Sequence, residues 1–342
     1  MIQVVKIEDA IGYPLAHDIT EIRPGEFKGP AFNRGHILTC RDLDHLRRLG
    51  KNHLYVLRPE SDELHEDDAA RRLADALCGD GVDWAGPPRE GKVSITAARD
   101  GLLKVDVEAL TRFNMLGEVM CATRHTHTLV RKGDQVAATR AIPLVISRSV
   151  VDAAVNAARQ ALHGLLRVLP LKQGRVGVMI TGDEVYHGRI EDKFEAVIRK
   201  KVVRLGSTVQ DVVFLPDDDA RIAEAALRLV NQGADFIVTT GGMSVDPDDR
   251  TRFALLKAGA EDMVYGSAVL PGAMFMISYL NGVPVLGIPA CGIFAETTIF
   301  DLMYPRVLAG EKITRKDIAV LGHGGLCLKC KTCVYPRCPF GK

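Results

Sequence analysis

The stretch Asp235-Phe-Ile-Val-Thr-Thr-Gly-Gly-Met-Ser-Val-Asp-Pro-Asp-Asp-Arg250 decides the fold of this chain. Its first part, Phe236–Thr240, is apolar up to the threonines, as expected of a short strand in a sheet that is covered on both faces. The paired glycines Gly241 and Gly242 then predict a sharp turn, in which no Cβ keeps the backbone away from a ligand. Asp246-Pro247 predicts an N-cap followed by proline at the first position of a helix.

A strand, a glycine turn and a helix N-terminus together form a site for a phosphate or another anion. The carboxyl end of a parallel strand is also where open α/β sheets bind their ligands. One interpretation is that Asp246, Asp248 and Asp249 cap the helix and interact favourably with its dipole. Three carboxylates beside a phosphate-type turn also suit a divalent cation, and the sequence favours that hypothesis.

Strands and helices alternate from Arg175 onward. The predicted strands are Val176–Ile180, Val209–Leu215, Phe236–Thr240 and Val283–Ile288, and the predicted helices are Lys193–Leu205, Ala220–Val230, Arg250–Ala258 and Phe294–Leu308. This alternation with short loops predicts an α/β domain on a doubly wound, mostly parallel sheet. Asn281-Gly282 predicts one antiparallel hairpin within it.

Two motifs of this domain resemble a known family. Thr239–Asp249 resembles the core motif of the MoeA/Mog-type molybdopterin-binding domain of molybdenum cofactor biosynthesis. Thr181-Gly-Asp-Glu-Val-Tyr-His-Gly-Arg-Ile-Glu-Asp192 resembles the first βα loop of the same family, and Pro271-Gly272 with Gly287-Ile-Pro289 is a third match. The resemblance covers about residues 170–310, and two spaced motifs on a correct βα background make it specific.

The resemblance implies an enzyme that binds molybdopterin or its adenylylated form, inserts molybdate and releases AMP with the help of Mg²⁺. The ligand contacts it implies are Thr181, Gly182, Asp183, Glu184, Gly188, Thr240, Gly241, Gly242, Ser244, Asp246, Gly272 and Pro289. Asp249 and Asp192, with Asp246 or Asp183, are expected to hold the Mg²⁺ near the pyrophosphate and thereby carry the catalysis.

Two positions depart from the family. Pro289-Ala-Cys-Gly292 stands where the family usually has Pro-Gly-Asn-Pro, and Leu270-Pro-Gly-Ala-Met274 lacks the lysines that often flank the Pro-Gly. The loss of positive charge predicts weaker phosphate or molybdate binding. Three alternatives therefore stay open, namely a molybdopterin adenylyltransferase, a nucleotide pyrophosphatase of the competence-damage-inducible type, and a non-catalytic molybdopterin carrier or sensor.

The residues before the ligand domain are predicted to form two smaller units. Residues 1–85 are predicted as an α+β unit, in which a helix over Asp67–Leu77 places its apolar residues on one face. Residues 86–169 are predicted as a β-rich unit with a strand over Leu103–Val107, and this unit ends in a long connecting helix, Val150–Leu169. His125 and His127 lie at strand spacing, so they are predicted to share a face. A solvated strand face is favoured over half of a metal site, because no third ligand lies nearby in the sequence.

Residues 311–342 are predicted as a linker and a separate four-cysteine tail. Cys327, Cys330, Cys333 and Cys338 follow the pattern C-x2-C-x2-C-x4-C-P. Four thiolates this close suit tetrahedral zinc, and the pattern also resembles a bacterial iron–sulfur run. The sequence predicts a bound metal and leaves zinc and an iron–sulfur cluster open. It also predicts that the ligand domain binds its pterin without this tail.

Composition excludes several classes of function. The 342 residues carry 44 Lys and Arg against 43 Asp and Glu, without a basic stripe interleaved with aromatics, so nucleic acid is not an expected partner. No apolar run is long enough to span a bilayer, and Met1–Asp9 does not resemble a signal peptide. The sequence predicts a cytoplasmic homo-oligomer, and the resemblance implies a pterin, molybdate and a molybdoenzyme as its partners.

Overall fold

The computed structural model describes residues 2–57, 62–243, 246 and 249–342, without the side chains of Ile2 and Leu57. The chain divides into two compact units. The first unit comprises Met1–Arg99, Leu103–Arg124 and Val130–Val168, and the second comprises Asp100–Leu102, His125–Leu129 and Leu169–Lys342. Within the described ranges, no helix is both long and apolar enough to cross a membrane.

The part of the chain before Pro170 is rich in short strands. These strands are β1 (Ile2–Lys6), β2 (Ile19–Arg23), β3 (Phe27–Phe32), β4 (His53–Leu57), β5 (Glu63–His65), β6 (Val82–Trp84), β7 (Lys92–Ala97), β8 (Gly101–Val105), β9 (Val119–Thr123), β10 (Leu129–Val130), β11 (Gln135–Ala141), β12 (Val145–Ser147) and β13 (Leu166–Leu169). The helices are α1 (Leu43–Arg48), α2 (Glu66–Leu77), α3 (Val107–Asn114) and α4 (Arg148–Arg159). The predicted α+β and β-rich character of this region is confirmed.

The amphipathic pattern of α2 is confirmed by its burial. Ala70, Leu73, Ala74 and Leu77 are all fully buried on one face of the helix. Leu73 and Leu77 belong to the main core of the first unit, together with Phe113 of α3. The apolar residues recur every three or four positions, and this spacing predicted the helix correctly.

The predicted long helix Val150–Leu169 is wrong. Helix α4 ends at Arg159, and Leu166–Leu169 forms strand β13. Gly164 has a φ of +90°, and a Cβ there would lie 2.9 Å from the Cα of Gly79. The amide of Gly79 donates to the carbonyl of Leu166 at 2.8 Å. Tertiary pairing outweighs the helix propensity of an alanine- and leucine-rich segment.

Two further predictions for the β-rich region need correction, because the strand near Leu103 begins and ends two residues earlier and the two histidines lie outside the strands. The strand predicted over Leu103–Val107 ends at Val105, because the side chain of Asp106 accepts from the amide of Ala109 and caps α3. His125 and His127 lie outside the strands, and His127 has a φ of +63°. They do not share a strand face.

The second unit is built on a six-stranded sheet. Its strands are β14 (Arg175–Thr181), β15 (Thr208–Leu215), β16 (Phe236–Thr240), β17 (Glu261–Tyr265), β18 (Met276–Leu280) and β19 (Val283–Ile288). Its helices are α5 (Asp183–Tyr186), α6 (Phe194–Arg204), α7 (Asp219–Asn231), α8 (Thr251–Lys257), α9 (Ile299–Leu308) and α10 (Arg315–Ala319). The strand order is β15-β14-β16-β19-β18-β17, in which the first four strands are parallel and the last two are antiparallel additions.

Both faces of this sheet are covered, as the sequence predicts. Along β14, Val176, Val178 and Ile180 join one core together with residues of α6 and α9. Met179 points to the opposite core, which contains residues of α7 and α8. The doubly wound α/β fold is confirmed, and so is the hairpin at Asn281-Gly282 that joins β18 to β19.

Two helices of this unit begin later than predicted. Helix α8 begins at Thr251, whose amide donates to the carbonyl of Gly242 at 3.2 Å, so Asp246 is not its N-cap. Pro247 lies outside the described residues. Helix α9 begins at Ile299, because Thr298 and Asp301 form a capping box. The residues Ala290–Ile293 form a separate 3-10 turn.

The cysteine tail, residues 324–342, packs on the ligand domain, which corrects the expectation of an independent segment. Phe340 is only 3% exposed and belongs to the same core as α9. Leu270 donates its amide to the carbonyl of Gly325 and accepts from the amide of Cys327, each at 2.8 Å. The tail is therefore fixed to the ligand domain at two places.

Candidate functional site

The glycine turn after β16 has no room for side chains. Gly241 and Gly242 have φ values of +84° and +56°, in the left-handed region that favours glycine. A Cβ on Gly241 would overlap the carbonyl oxygen of Thr181, and one on Gly242 would lie 2.5 Å from Oγ1 of Thr251. The predicted tight glycine turn is present, and glycine is required there because Thr181 and Thr251 approach the turn closely.

Buried threonine hydroxyls join the two predicted motifs. Oγ1 of Thr181 donates to the carbonyl of Thr240 at 3.1 Å and lies 2.9 Å from Oγ1 of Thr251. Oγ1 of Thr251 donates to the carbonyl of Gly241 at 3.1 Å. The end of β14, the glycine turn and the start of α8 are consequently held in one hydrogen-bonded unit.

A cavity of about 580 Å³ lies at the carboxyl ends of the parallel strands. Seven predicted site residues line it, namely Thr181, Glu184, Gly241, Gly242, Asp249, Gly272 and Pro289. Cys291, Cys327 and Lys329 line it as well. A cavity of about 590 Å³ lies at the opposite edge, where Gly174 and Asp235 precede their strands. The first cavity is the candidate site, because open α/β sheets bind ligands beyond the carboxyl ends of their strands.

Several predicted site residues do not line this cavity. Asp192 caps α6, since its two carboxylate oxygens accept from the amides of Phe194 and Glu195, each at 2.9 Å. Asp246 is exposed, and its amide donates to Oδ2 of Asp249 at 2.8 Å. Gly182, Asp183, Gly188 and Thr240 lie beside the lining residues without being among them. Ser244 lies outside the described residues.

Asp217 is a carboxylate that the sequence prediction missed. Its Oδ2 accepts from the amide of Asp183 at 3.0 Å, while its Oδ1 is buried with no hydrogen-bond partner among the described residues. Burial raises the pKa of Asp217, and the charges of Asp183, Glu184 and Asp249 raise it further, against the lowering effect of the Asp183 amide. Its position directly after a parallel strand was a signal that could have found it.

The pKa of Asp217 predicts a pH dependence of stability. A carboxyl group whose pKa is raised on folding binds more protons in the folded state, so stability falls as the pH rises from its ordinary value through the raised one. We expect Asp217→Asn, in metal-free protein, to raise the unfolding midpoint at pH 7 and to leave it unchanged near pH 3. Thermal unfolding across this range measures the effect. Glu224→Gln, which changes an exposed carboxylate on α7, is the control, and equal curves for both variants would contradict the prediction.

The cysteines of the tail line a second cavity of about 540 Å³. Its thiols are those of Cys291, Cys327, Cys330, Cys333 and Cys338, and none of them is in a disulfide. Cys291 and Cys327 line both cavities. Among the described residues, no three His, Cys, Asp or Glu side chains are grouped so that they could hold a metal ion.

The fold and the site define a class. A doubly wound sheet with a cavity at its strand ends, lined by a glycine turn and by acidic βα loops, is typical of α/β domains that bind small ligands there. Residues 177–309 match the family described as "Probable molybdopterin binding domain", and residues 4–58 match a family described as a domain of unknown function. The predicted resemblance to a molybdopterin-binding domain is confirmed over residues 177–309, which match that family.

Individual relatives extend this assignment. The chain is 25% identical over 327 residues to the molybdopterin molybdenumtransferase of Haemophilus influenzae, covering 92% of this chain and 74% of that protein. The predicted likeness to a molybdenumtransferase is thereby confirmed. A CinA-like protein of Mycobacterium tuberculosis is 40% identical over 78 residues, but these are 22% of this chain and 18% of that protein.

Two solved structures are similar in part. The molybdopterin biosynthesis enzyme MoaB from Thermus thermophilus shares 22% identity, with 41% of this chain and 98% of that chain covered and a TM-score of 0.35. The molybdopterin biosynthesis MoeA protein from Pyrococcus horikoshii shares 14% identity, with 91% and 75% covered and a TM-score of 0.32. These scores are too low to support an argument, so the assignment rests on the sequence matches.

Proposed function

We propose that this chain binds adenylylated molybdopterin in the cavity at the strand ends and inserts molybdate with release of AMP. The observation that carries the proposal is that one cavity collects residues of both predicted motifs, Glu184 from the first and Asp249 from the second. The likeness to a molybdenumtransferase, over 92% of this chain and 74% of that protein, supports the same reaction. The cytoplasmic site of action and the homo-oligomeric state predicted from the sequence are part of this proposal.

The glycine turn is the proposed phosphate site. Gly241 and Gly242 line the cavity without side chains, so a phosphate can approach the backbone amides of the turn directly. Pro271-Gly272 and Pro289 form other parts of the wall and leave room for the pterin. Binding of this kind depends on the turn geometry that the buried threonines Thr181 and Thr251 hold in place.

The acidic residues of the cavity fit Mg²⁺. Mg²⁺ in proteins is held by one or two carboxylates together with substrate phosphates and water, so it does not need three grouped protein ligands. Glu184 and Asp249 line the cavity and would hold the ion. Both are close enough to raise the pKa of Asp217, whose buried Oδ1 has no hydrogen-bond partner among the described residues. When bound, Mg²⁺ would neutralise charge on the pyrophosphate.

A test of the reaction separates the alternative functions. Purified protein is given adenylylated molybdopterin with Mg²⁺, and AMP is measured with and without molybdate. Release that requires molybdate supports the proposal, whereas release without molybdate indicates a pyrophosphatase. Formation of adenylylated molybdopterin from ATP and molybdopterin indicates an adenylyltransferase. Tight binding with no AMP in any condition indicates a carrier. The thiol of Cys291 in the cavity wall favours this interpretation, because burial raises its pKa and keeps it neutral.

Asp249→Asn is expected to reduce Mg²⁺-dependent turnover by about 100-fold, because it removes a charged metal ligand from the cavity. Folding should be preserved, since the amide oxygen of asparagine can still accept from the amide of Asp246. The matched control is Asp246→Asn, which changes an exposed carboxylate in the same turn and outside the cavity. Initial rates at limiting Mg²⁺ are the measurement. Equal rates for the wild type and Asp249→Asn would refute this role.

We also propose that the thiols of the tail hold zinc or an iron–sulfur cluster. The support is that Cys327, Cys330, Cys333 and Cys338 line one cavity, and thiolates are the ligands that both metal groups prefer. Among the described residues these thiols are not yet grouped as metal ligands, so their side chains would have to converge on the metal from the wall of this cavity.

Protein prepared without oxygen is expected to contain one zinc ion per chain, or iron with visible charge-transfer absorption. The double variant Cys330→Ser/Cys333→Ser should lose this metal, because two of the four thiolates are gone. Cys40→Ser, which changes an exposed cysteine of the first unit, should keep it. Metal analysis that finds equal content in all three proteins would show that the tail is not the metal site.

A further inference from the structure

The ligand cavity has an unbalanced set of charges. Among the described residues that line it, Glu184 and Asp249 are acidic and Lys329 is the sole basic residue. An anionic ligand next to two carboxylates is repelled unless a positive charge lies close by, because like charges destabilise one another at short range. Lys329 comes from the cysteine tail and not from the two ligand motifs.

The ammonium group of Lys329 is available to a ligand. Within the described part of the chain it makes no hydrogen bond and no ion pair, whereas Lys342 of the same tail donates to the carbonyl of Pro336 at 2.6 Å. Lys329 is exposed, so its charge needs no protein partner to offset a cost of burial. Its side chain can therefore meet a phosphate without breaking a contact first.

The backbone of the tail fixes where Lys329 begins. Leu326 pairs with Leu270 in an isolated parallel bridge, immediately before the wall residues Pro271-Gly272. The amide of Lys329 donates to Sγ of Cys327 at 3.5 Å, and its φ is +52°. A lysine in the left-handed region costs about 1 kcal/mol or more, and such a conformation persists only where the surrounding structure determines it.

The far end of the tail is fixed as well. Phe340 is buried in the core of the ligand domain, and the amide of Gly341 donates to the carbonyl of Gly324 at 3.0 Å. The segment that carries Lys329 is thus a loop closed at both ends, held next to the cavity wall.

We infer that the cysteine tail completes the ligand cavity and that Lys329 binds the phosphate or pyrophosphate group of the ligand. The inference rests on the proposed function for the kind of ligand, an anion with phosphate oxygens. It assigns to the tail a direct contact with that anion, separate from any metal held by its thiols. The positive charge of Lys329 and the backbone amides of the glycine turn would hold the anion from two parts of the wall.

The test compares Lys329 with a lysine two positions away. Lys331 belongs to the same tail and lines the second cavity, but not the ligand cavity. Lys329→Ala and Lys331→Ala make the same change in net charge, and Lys329→Arg keeps the charge at the first position. The full-length proteins are titrated with inorganic pyrophosphate and with molybdopterin at several salt concentrations.

Lys329→Ala is expected to weaken pyrophosphate binding by about fivefold to twentyfold, the scale of one charge-assisted hydrogen bond, and to reduce its dependence on salt. Lys329→Arg and Lys331→Ala should stay within about twofold of the wild type. Equal losses in the two alanine variants, unchanged affinity in Lys329→Ala, or no pyrophosphate binding by the wild type would overturn the inference.

The two proposals fail in different ways. If the wild type binds pyrophosphate and loses it in Lys329→Ala, the role of Lys329 stands even when molybdopterin is not bound, and the proposed pterin function is then wrong. If the wild type and Lys329→Ala bind both pyrophosphate and molybdopterin with equal affinity, the pterin function stands and the role of Lys329 is wrong.

Discussion

Gly241→Ala is expected to abolish ligand binding, with an affinity loss of at least about 100-fold. The added Cβ would overlap the carbonyl oxygen of Thr181, which is backbone and cannot move aside like the end of a flexible side chain. Relief of this overlap requires the glycine turn or the end of β14 to shift, and both line the ligand cavity. Titration with molybdopterin or AMP measures the loss.

Gly259→Ala is the matched control for this prediction. Gly259 also has a positive φ, +93°, but a Cβ there would have nothing within 4 Å. Both variants therefore bear the cost of alanine in the left-handed region, about 1 kcal/mol, and only Gly241→Ala adds the collision. We expect a small loss of thermal stability in Gly259→Ala with binding retained, and a larger loss in Gly241→Ala because of the collision. Wild-type affinity in Gly241→Ala would move the phosphate site away from the glycine turn.

Phe340→Ala is expected to lower the free energy of unfolding of the second unit by about 3 kcal/mol, in the range found for buried phenylalanines. The side chain is 3% exposed and packs in the core that contains α9. Removal of the anchor also frees the loop that carries Lys329, so affinity for the ligand should fall by about tenfold. Chemical unfolding and ligand titration measure the two effects.

Phe294→Ala provides the control for Phe340→Ala. Phe294 is a phenylalanine of the same unit but is 89% exposed, so its removal should change stability by less than about 0.5 kcal/mol. Truncation after Gly325 should behave like Phe340→Ala or worse, which replaces the expectation from sequence that the ligand domain is independent of the tail. A truncated chain with full stability and affinity would show that the tail only rests on the domain.

The ligand domain could be predicted from the sequence because its signals are local. The buried strand Phe236–Thr240 has the predicted bounds, since a continuous apolar run between turn signals leaves little choice. Glycines at positive φ and the hairpin pair Asn281-Gly282 are likewise determined by the residue itself. The parallel sheet then follows from strand and helix alternation.

The errors occur where distant residues decide the structure. Leu166–Leu169 is a strand because it pairs with β8 and accepts a hydrogen bond from the amide of Gly79, and nothing within that segment indicates these contacts. Strand β17 was missed because it is an edge strand that only its pairing with β18, later in the chain, holds in the sheet. The packing of Phe340 in the core could not be inferred from a tail in which cysteines dominate the pattern.

The sequence predicted which kinds of residues form the candidate site better than it predicted where their side chains lie. Glu184 and Asp249 reach the cavity as expected, whereas Asp192 uses both carboxylate oxygens to cap α6. A loop acid can cap a helix or face a ligand, and the sequence pattern is the same for both roles. Asp217 and Lys329 were missed because each belongs to the site through tertiary structure and lies outside the two motifs.

The contact between Thr181 and Thr251 has a consequence for protein engineering. Their hydroxyl oxygens lie 2.9 Å apart in a buried setting. Oγ1 of Thr181 also lies 3.1 Å from the carbonyl of Thr240 in the other loop, and Oγ1 of Thr251 lies 3.1 Å from the carbonyl of Gly241 in its own loop. The two loops thus behave as one exchangeable part. A chimera that takes only one loop from a relative would leave a buried hydroxyl without its hydrogen-bond partner. A graft of both loops together would keep the hydrogen bond between them.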